Sequence, residues 1–353
     1  MTKSSLRYIY ETPWSAYAFA WAARPLGPRF RFAVGSLCDR GRNCLQVLEL
    51  NEGTNRIELV AEVEHACPAS KLLWRPSADA AASISKDCFA SSGTTLNLWQ
   101  LEDGQVHSLA KLSSSGAGRQ DLAPLTSFDW STASEHNICA ASVDTTITIW
   151  DIEHQRKEHQ LIGHDKPIYD IAFSKVAHLF ASVGADGSLR MFDERDLQTS
   201  TILYETGLTP ASPSPAPLLR LAWNAHNTNL IAVVTLDKTS VSVVDIRRAG
   251  VALQELSSGD AHAHTLAWAP HSRNHLLCGA DNGCAMVWDI SRAQASPAYD
   301  EPLDAGLGSN SLDKHTPVLS YECDHEIYQV QWPVSQPDCI ALGTASHFQV
   351  FEV

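Results

Sequence analysis

The chain has 353 residues, 44% of them hydrophobic and 19% charged, the balance of an ordinary folded, soluble protein. Forty acidic against 26 basic residues leave a net charge of −14, which argues against a general nucleic-acid surface. No stretch approaches the roughly 18 uninterrupted apolar residues that span a bilayer, and no signal-peptide core follows Met1–Arg7, so the expected location is cytoplasmic and nuclear.

In chain order, Leu6-Arg7-Tyr8-Ile9-Tyr10 opens as a lone strand with nothing beside it in sequence to pair with. Seven copies of one pattern follow: an apolar run ending in an aromatic, a second apolar strand, a tight polar turn and a third strand. The first runs end at Trp21, Trp74, Trp130, Phe173, Trp223, Trp268 and Trp332. The third strands end near Leu48, Trp99, Trp150, Phe192, Val244, Trp288 and Phe351, each followed by an acidic or amide residue. Such units bury too little surface alone, and a repeat of about 50 residues packs radially, with only short edges left open. The prediction is all-β: one seven-bladed β-propeller over residues 1–353. The chain stops at Val353, just after the third strand of the seventh copy, so a strand over residues 6–11 is predicted to complete that blade. Insertions at about 207–217 and 291–317, and a connector over Ser113–Asp121, break the spacing.

The search for chemistry finds little. There is no phosphate-cradling glycine loop and no nucleophile elbow. A propeller enzyme would instead need a polar pocket of converging ionisable groups. His262 and His264, or His271 and His275, have spacings of metal ligands, but no Cys or carboxylate cluster completes either set. Neither a metal nor a cofactor is expected, and no catalytic residue is assigned. The nine cysteines include no C-x-x-C pair, and their odd number leaves one unpaired, which fits a reducing compartment. Thr209, Ser212, Ser214, Ser296 and Thr316 each precede a proline in a loop, where a proline-directed kinase has access.

The pattern also marks a rim. Counting back from the seven aromatics, positions −5 and −2 are apolar throughout and belong to the core. Position −4 reads Tyr17, Ser70, Thr126, Tyr169, Leu219, His264 and Tyr328, beside the predicted channel mouth. Tyr17, Tyr169, Leu219, His264 and Tyr328 are the candidate partner-binding residues, since aromatics give contact area at low entropy cost; packing on adjacent loops is the other reading of the tyrosines. Position −6 is proline in four successive copies (Pro68, Pro124, Pro167, Pro217), which stiffens the same rim.

Trp150-Asp151 and Trp288-Asp289 are intact WD pairs, and the whole resembles the WD-repeat family. In the fourth copy, Gly163-His164, Ser182, Asp186 and Phe192 match the positions that form the family's buried hydrogen-bond network, with Phe192 in place of Trp. By that resemblance His164, Ser182 and Asp186 are scaffold, not a catalytic set. Tyr10–Trp14, Pro124–Trp130, Leu161–Lys166 and Phe180–Asp193 are moreover similar to the Transparent Testa Glabra family of WD proteins and its animal counterpart. That resemblance implies a non-enzymatic adaptor, monomeric within its complexes, with neither nucleic acid nor membrane as a direct ligand. Its expected partners are DYRK-type and HIPK-type protein kinases, transcription factors, or the adaptor subunit of a cullin-4 ubiquitin ligase, for which the protein would be a substrate receptor. Asp193-Glu-Arg195 and Asp245-Ile-Arg247 resemble the W-D-x-R box used for that docking, without its Trp. An Asp–Arg pair that merely steadies a turn is the alternative for Asp193, Arg195, Asp245 and Arg247.

Overall fold

A computed structural model describes residues 7–22, 30–38, 41–51, 53–76, 87–113, 123–207, 214–291 and 316–353. Leu6, Thr209, Ser212, Ser296 and most of both insertions lie outside the described residues.

The described strands form seven four-stranded antiparallel sheets, in which each strand pairs with its sequence neighbour. The inner strands are Ser15–Trp21, Leu72–Trp74, Leu125–Trp130, Ile168–Phe173, Leu218–Trp223, Ala263–Trp268 and Ile327–Gln331, defining blades 1 to 7. The seventh sheet takes its outer strand from Arg7–Glu11, which pairs with His347–Glu352 in the register Arg7↔Phe351 to Glu11↔His347. The ring therefore closes as the sequence predicts. Arg7 fastens the seam, donating from Nε and Nη2 to Gln349 Oε1 at 3.0 and 2.6 Å.

The core lies between blades. The buried apolar side chains form seven clusters, one at each junction of adjacent blades, including blade 7 with blade 1. This follows from the pattern: middle strands such as Leu230–Thr235 are buried along their whole length, because both faces of each sheet meet a neighbour. The aromatic anchors add hydrogen bonds of two kinds. Trp74 and Trp268 donate from Nε1 to Ala20 and Ala222 of the preceding blade, at 3.0 and 2.9 Å. Trp130, Trp223 and Trp332 instead fasten their own loops through Glu135, Thr228 and Pro337. At the turn predicted from Asp186-Gly187, Gly187 has φ +76°, and a Cβ there would collide with Thr206 and Pro215.

Candidate functional site: rim, channel and blade networks

Register explains how the rim is made. The pairing of the inner strand skips one residue in six blades, between Ala16/Ala18, Leu125/Ser127, Ile168/Asp170, Leu218/Arg220, Ala263/Thr265 and Ile327/Gln329. The skipped residue is Tyr17, Thr126, Tyr169, Leu219, His264 or Tyr328. Each is thus the extra residue of a β-bulge, a device that takes a side chain out of the ladder and re-aims it. Ser70, the seventh member, precedes the short inner strand of blade 2. All seven are half-buried, in contrast to the core positions Ile168 and Leu218 beside them.

The structure brings only some of these residues together. Tyr17 and Tyr328 meet across the blade 1–blade 7 seam with ring centroids 5.9 Å apart. His264 approaches Glu326 at 3.5 Å. Tyr169 projects from blade 4, three blades round the ring, so the candidates form a broken circle and not one aromatic patch. The rim prolines accept through their carbonyls: Pro124 from Val143, Pro167 from Ala185 and Pro217 from Leu236.

Inside the rim, position −3 faces the channel, a cavity of about 360 Å³ whose walls include Lys71, Ser127, Asp170, Arg220, Thr265 and Gln329. Lys71 Nζ reaches from blade 2 to Ser127 Oγ at 3.1 Å and to Asp170 Oδ1 of blade 4 at 3.2 Å. Ser127 donates to the same Asp170 oxygen at 2.6 Å. Asp170 Oδ2 accepts from the backbone N–H of Leu221 in blade 5 at 3.1 Å. The pattern recurs around the ring: Thr265 accepts from Val330 N–H at 3.2 Å, and Gln329 from Phe19 N–H at 2.7 Å. Two residues further along, at position −1, Asp129 accepts from Phe173 N–H at 2.7 Å and Gln331 from Trp21 N–H at 2.8 Å. These side chains replace the strand pairing that the blade junctions lack.

Burial pulls on both channel aspartates, with opposite outcomes. At Asp170 the cost of burial is outweighed by Lys71, Arg220, Ser127 and the Leu221 amide, so its carboxyl lies below the usual range. At Asp129 burial wins and the carboxyl is raised, although the residue keeps some accessible surface. Deep enclosure within the disc, more than its own small exposed area, governs its solvation. The channel therefore does hold converging ionisable groups, which the linear sequence did not reveal. Their geometry is that of a braced junction. Lys71 is engaged in an ion pair with Asp170 and a hydrogen bond to Ser127, so the three groups hold one another.

In blade 4 the predicted network is present. His164, 1% exposed, faces both Asp186 oxygens from Nδ1 at 3.0 Å and Ser182 Oγ from Nε2 at 2.7 Å. Ser188 and Arg190 extend it, Arg190 bridging to Asp165 and Asp186 at 2.6 and 3.1 Å. A second network, in blade 2, escaped the sequence reading: His65 Nε2 lies 3.0 Å from Ser91 Oγ, to which Trp99 Nε1 donates at 2.8 Å. Its usual marker is missing because Glu64, not Gly, precedes His65. Blade 6 keeps Trp288 but has Cys278 where blade 2 has Ser91, and the buried Trp288 Nε1 has no hydrogen-bond partner among the described residues.

The two Asp-x-Arg pairs have one geometry. Arg195 binds Asp193 from its backbone N–H at 3.0 Å, from Nε at 2.9 Å and from Nη2 at 2.5 Å. Arg247 repeats this on Asp245 at 3.0, 3.0 and 2.6 Å. Hydrogen bonding to Arg195 brings Asp193 down to about 2. The arginine side chains stay 69% and 65% exposed, so both pairs are turn clasps that still present a cation to solvent. They sit side by side on blades 4 and 5, after the third strands.

The histidines of the metal spacings go elsewhere. His262 pairs with Asp281 at 3.0 Å, His271 packs edge-on to Trp332 at 5.4 Å, and His275 bonds Ser272 at 2.7 Å. Among the described residues no three His, Cys, Asp or Glu side chains converge as a metal site would require. None of the nine cysteines is in a disulfide, and burial pushes Cys139 and Cys278 well up, as befits inert core residues.

The family model of the WD domain, G-beta repeat, matches residues 155–193, which hold the blade 4 network and end at Asp193 of the first clasp. Propeller, closure strand and His–Ser networks together define a WD-repeat protein. The chain is 39% identical over 346 residues to the DDB1- and CUL4-associated factor 7 homologue of Dictyostelium discoideum, covering 98% of each chain. It is 31% identical over 390 residues to an uncharacterized WD repeat-containing protein of Schizosaccharomyces pombe, covering 98% of this chain and 89% of that one. A WD repeat-containing protein of Saccharomyces cerevisiae is 30% identical over 312 residues, covering 80% and 58%. This protein belongs to the same WD-repeat family as the Dictyostelium factor.

Proposed function

We propose that the protein is a non-enzymatic adaptor that holds protein partners on its propeller rim, in the cytoplasm and nucleus. The observation that carries this is the ring of bulges: Tyr17, Tyr169, Leu219, His264 and Tyr328 are each the extra residue of an inner strand and each only half-buried. A braced, seven-bladed disc offers such a surface at low ordering cost. By resemblance to the Transparent Testa Glabra group, the partners are protein kinases and transcription regulators. The test is affinity purification of the chain and of its Tyr169→Ser/Tyr328→Ser variant, with partners identified by mass spectrometry. Retention of every partner by the variant would sink the rim assignment.

A second reading is favoured by two specific observations. A full-length relative is named for association with DDB1 and CUL4. The paired clasps at Arg195 and Arg247 present two matching cations on adjacent blades. On this reading the same propeller docks on a cullin-4 ligase through the clasps and receives substrates at its rim. Replacing both arginines by glutamate, with ligase association unchanged in pull-down, would rule out docking through these residues.

A further inference from the structure

The channel is asymmetric in its unused hydrogen-bonding capacity. Lys71 has three N–H groups and three acceptors: Ser127 Oγ, Asp170 Oδ1 and the Ile171 carbonyl at 3.5 Å. Asp170 is likewise occupied, its Oδ1 by Lys71, Ser127 and Ile171 N–H and its Oδ2 by Leu221 N–H. Arg220, in the next blade, is different. A guanidinium has five N–H donors, and among the described residues the one hydrogen bond from this side chain runs from Nη1 to the Leu219 carbonyl at 3.1 Å. Arg220 lines the cavity, whose wall also includes the Tyr17–Tyr328 pair.

We infer that the channel takes the side-chain carboxylate of a glutamate or aspartate from an extended partner segment, received by the Arg220 fork. The apolar neighbour of that residue rests on Tyr17 and Tyr328. This deepens the reading of the rim as a partner site and rests on it. Planar bidentate recognition of a carboxylate is what a guanidinium with unused parallel donors provides. Two features select a single carboxylate over a phosphate or a polyanion. The ionised Asp170 lies close enough to Arg220 for their charges to interact, and would oppose a second negative charge on the ligand. The chain as a whole carries −14, so a strongly acidic ligand would be repelled before it arrived.

The probe is an immobilised array of random-flank heptapeptides whose central residue is fixed as glutamate, glutamine or phosphoserine, exposed to the full-length chain. Glutamate peptides should retain the chain about tenfold more than glutamine peptides, the ratio expected for one charged hydrogen-bond pair. Arg220→Gln should bring glutamate retention down to the glutamine level, and Arg220→Lys should restore part of it. Equal retention of glutamate and glutamine peptides, or a preference for phosphoserine, overturns the inference. That comparison uses the unsubstituted chain, so it stands whatever the stability of the variants. No discrimination on the array, together with loss of cellular partners in Tyr17→Ser/Tyr328→Ser, would remove the carboxylate and leave the rim. Retained partners in that variant would remove both.

Discussion

Lys71 of blade 2 and Asp170 of blade 4 meet with Nζ 3.2 Å from Oδ1, an ion pair that passes over blade 3 and ties three blades at the channel wall through Ser127. Their side chains are 23% and 7% exposed, so the pair is largely shielded from water. Lys71→Met should therefore leave a buried carboxylate without its ion-pair partner and destabilise the fold by about 3 kcal/mol. Chemical denaturation at neutral pH measures it, and an unchanged midpoint would contradict the bracing role.

The two channel aspartates should respond oppositely to pH. Asp170 is depressed in the folded state, so its contribution is present above the unfolded aspartate pKa of 3.8 and is lost as pH falls through its lower folded value. Asp129 is raised, so its contribution is full below 3.8 and lost as pH rises through its higher folded value. Relative to the unsubstituted chain, Asp170→Asn should be most damaging at neutral pH and Asp129→Asn should improve between pH 4 and pH 8. Parallel stability curves for the two variants would refute the distinction.

The decayed networks can be repaired. In blade 2 Trp99 donates to Ser91, whereas in blade 4 Phe192 occupies the Trp position, paired with Phe180 two residues before Ser182 and stacked on it at 5.0 Å. Phe192→Trp should raise the melting temperature through a hydrogen bond of about 1 kcal/mol, and Ser182→Ala should abolish that gain in a double-mutant cycle. Cys278→Ser should do the same for the unpartnered Trp288 indole of blade 6.

Closure depends on Arg7–Glu11. Removing residues 1–11 exposes the edge of His347–Glu352, whose backbone groups otherwise pair with that strand. The truncated chain should melt lower and self-associate, as read by light scattering, while Arg7→Ala alone should cost only about 1 kcal/mol. A monomeric truncated chain of full stability would show that the seam does not need this strand.

What the sequence discloses and what it hides have a common cause. Apolar residues at −5 and −2 repeat within each blade, so a linear pattern reveals the core, as Ile168 and Ile171 show. The −4 positions stand out in the sequence as well, although the bulges on which they fall appear only in the register. The channel was hidden because Lys71, Ser127, Asp170 and Arg220 come one each from blades 2, 3, 4 and 5 and share no window. The His65–Ser91–Trp99 network was missed for a simpler reason, the absent glycine before His65. The clasps were readable as motifs, but only coordinates show that Arg195 and Arg247 adopt the same fork.

Tyr169 separates the two readings of the rim. It is half-buried at a bulge and has no aromatic partner within stacking range among the described residues, so Tyr169→Ser should change stability by no more than about 0.5 kcal/mol. The most direct measurement is quantitative affinity purification and mass spectrometry on three forms: the chain, Tyr169→Ser/Tyr328→Ser, and Arg195→Glu/Arg247→Glu. The account predicts that the rim variant, still folded, loses kinases or transcription regulators, and that any ligase subunits depend on the clasp arginines alone. An unchanged set of partners in the folded rim variant would contradict it.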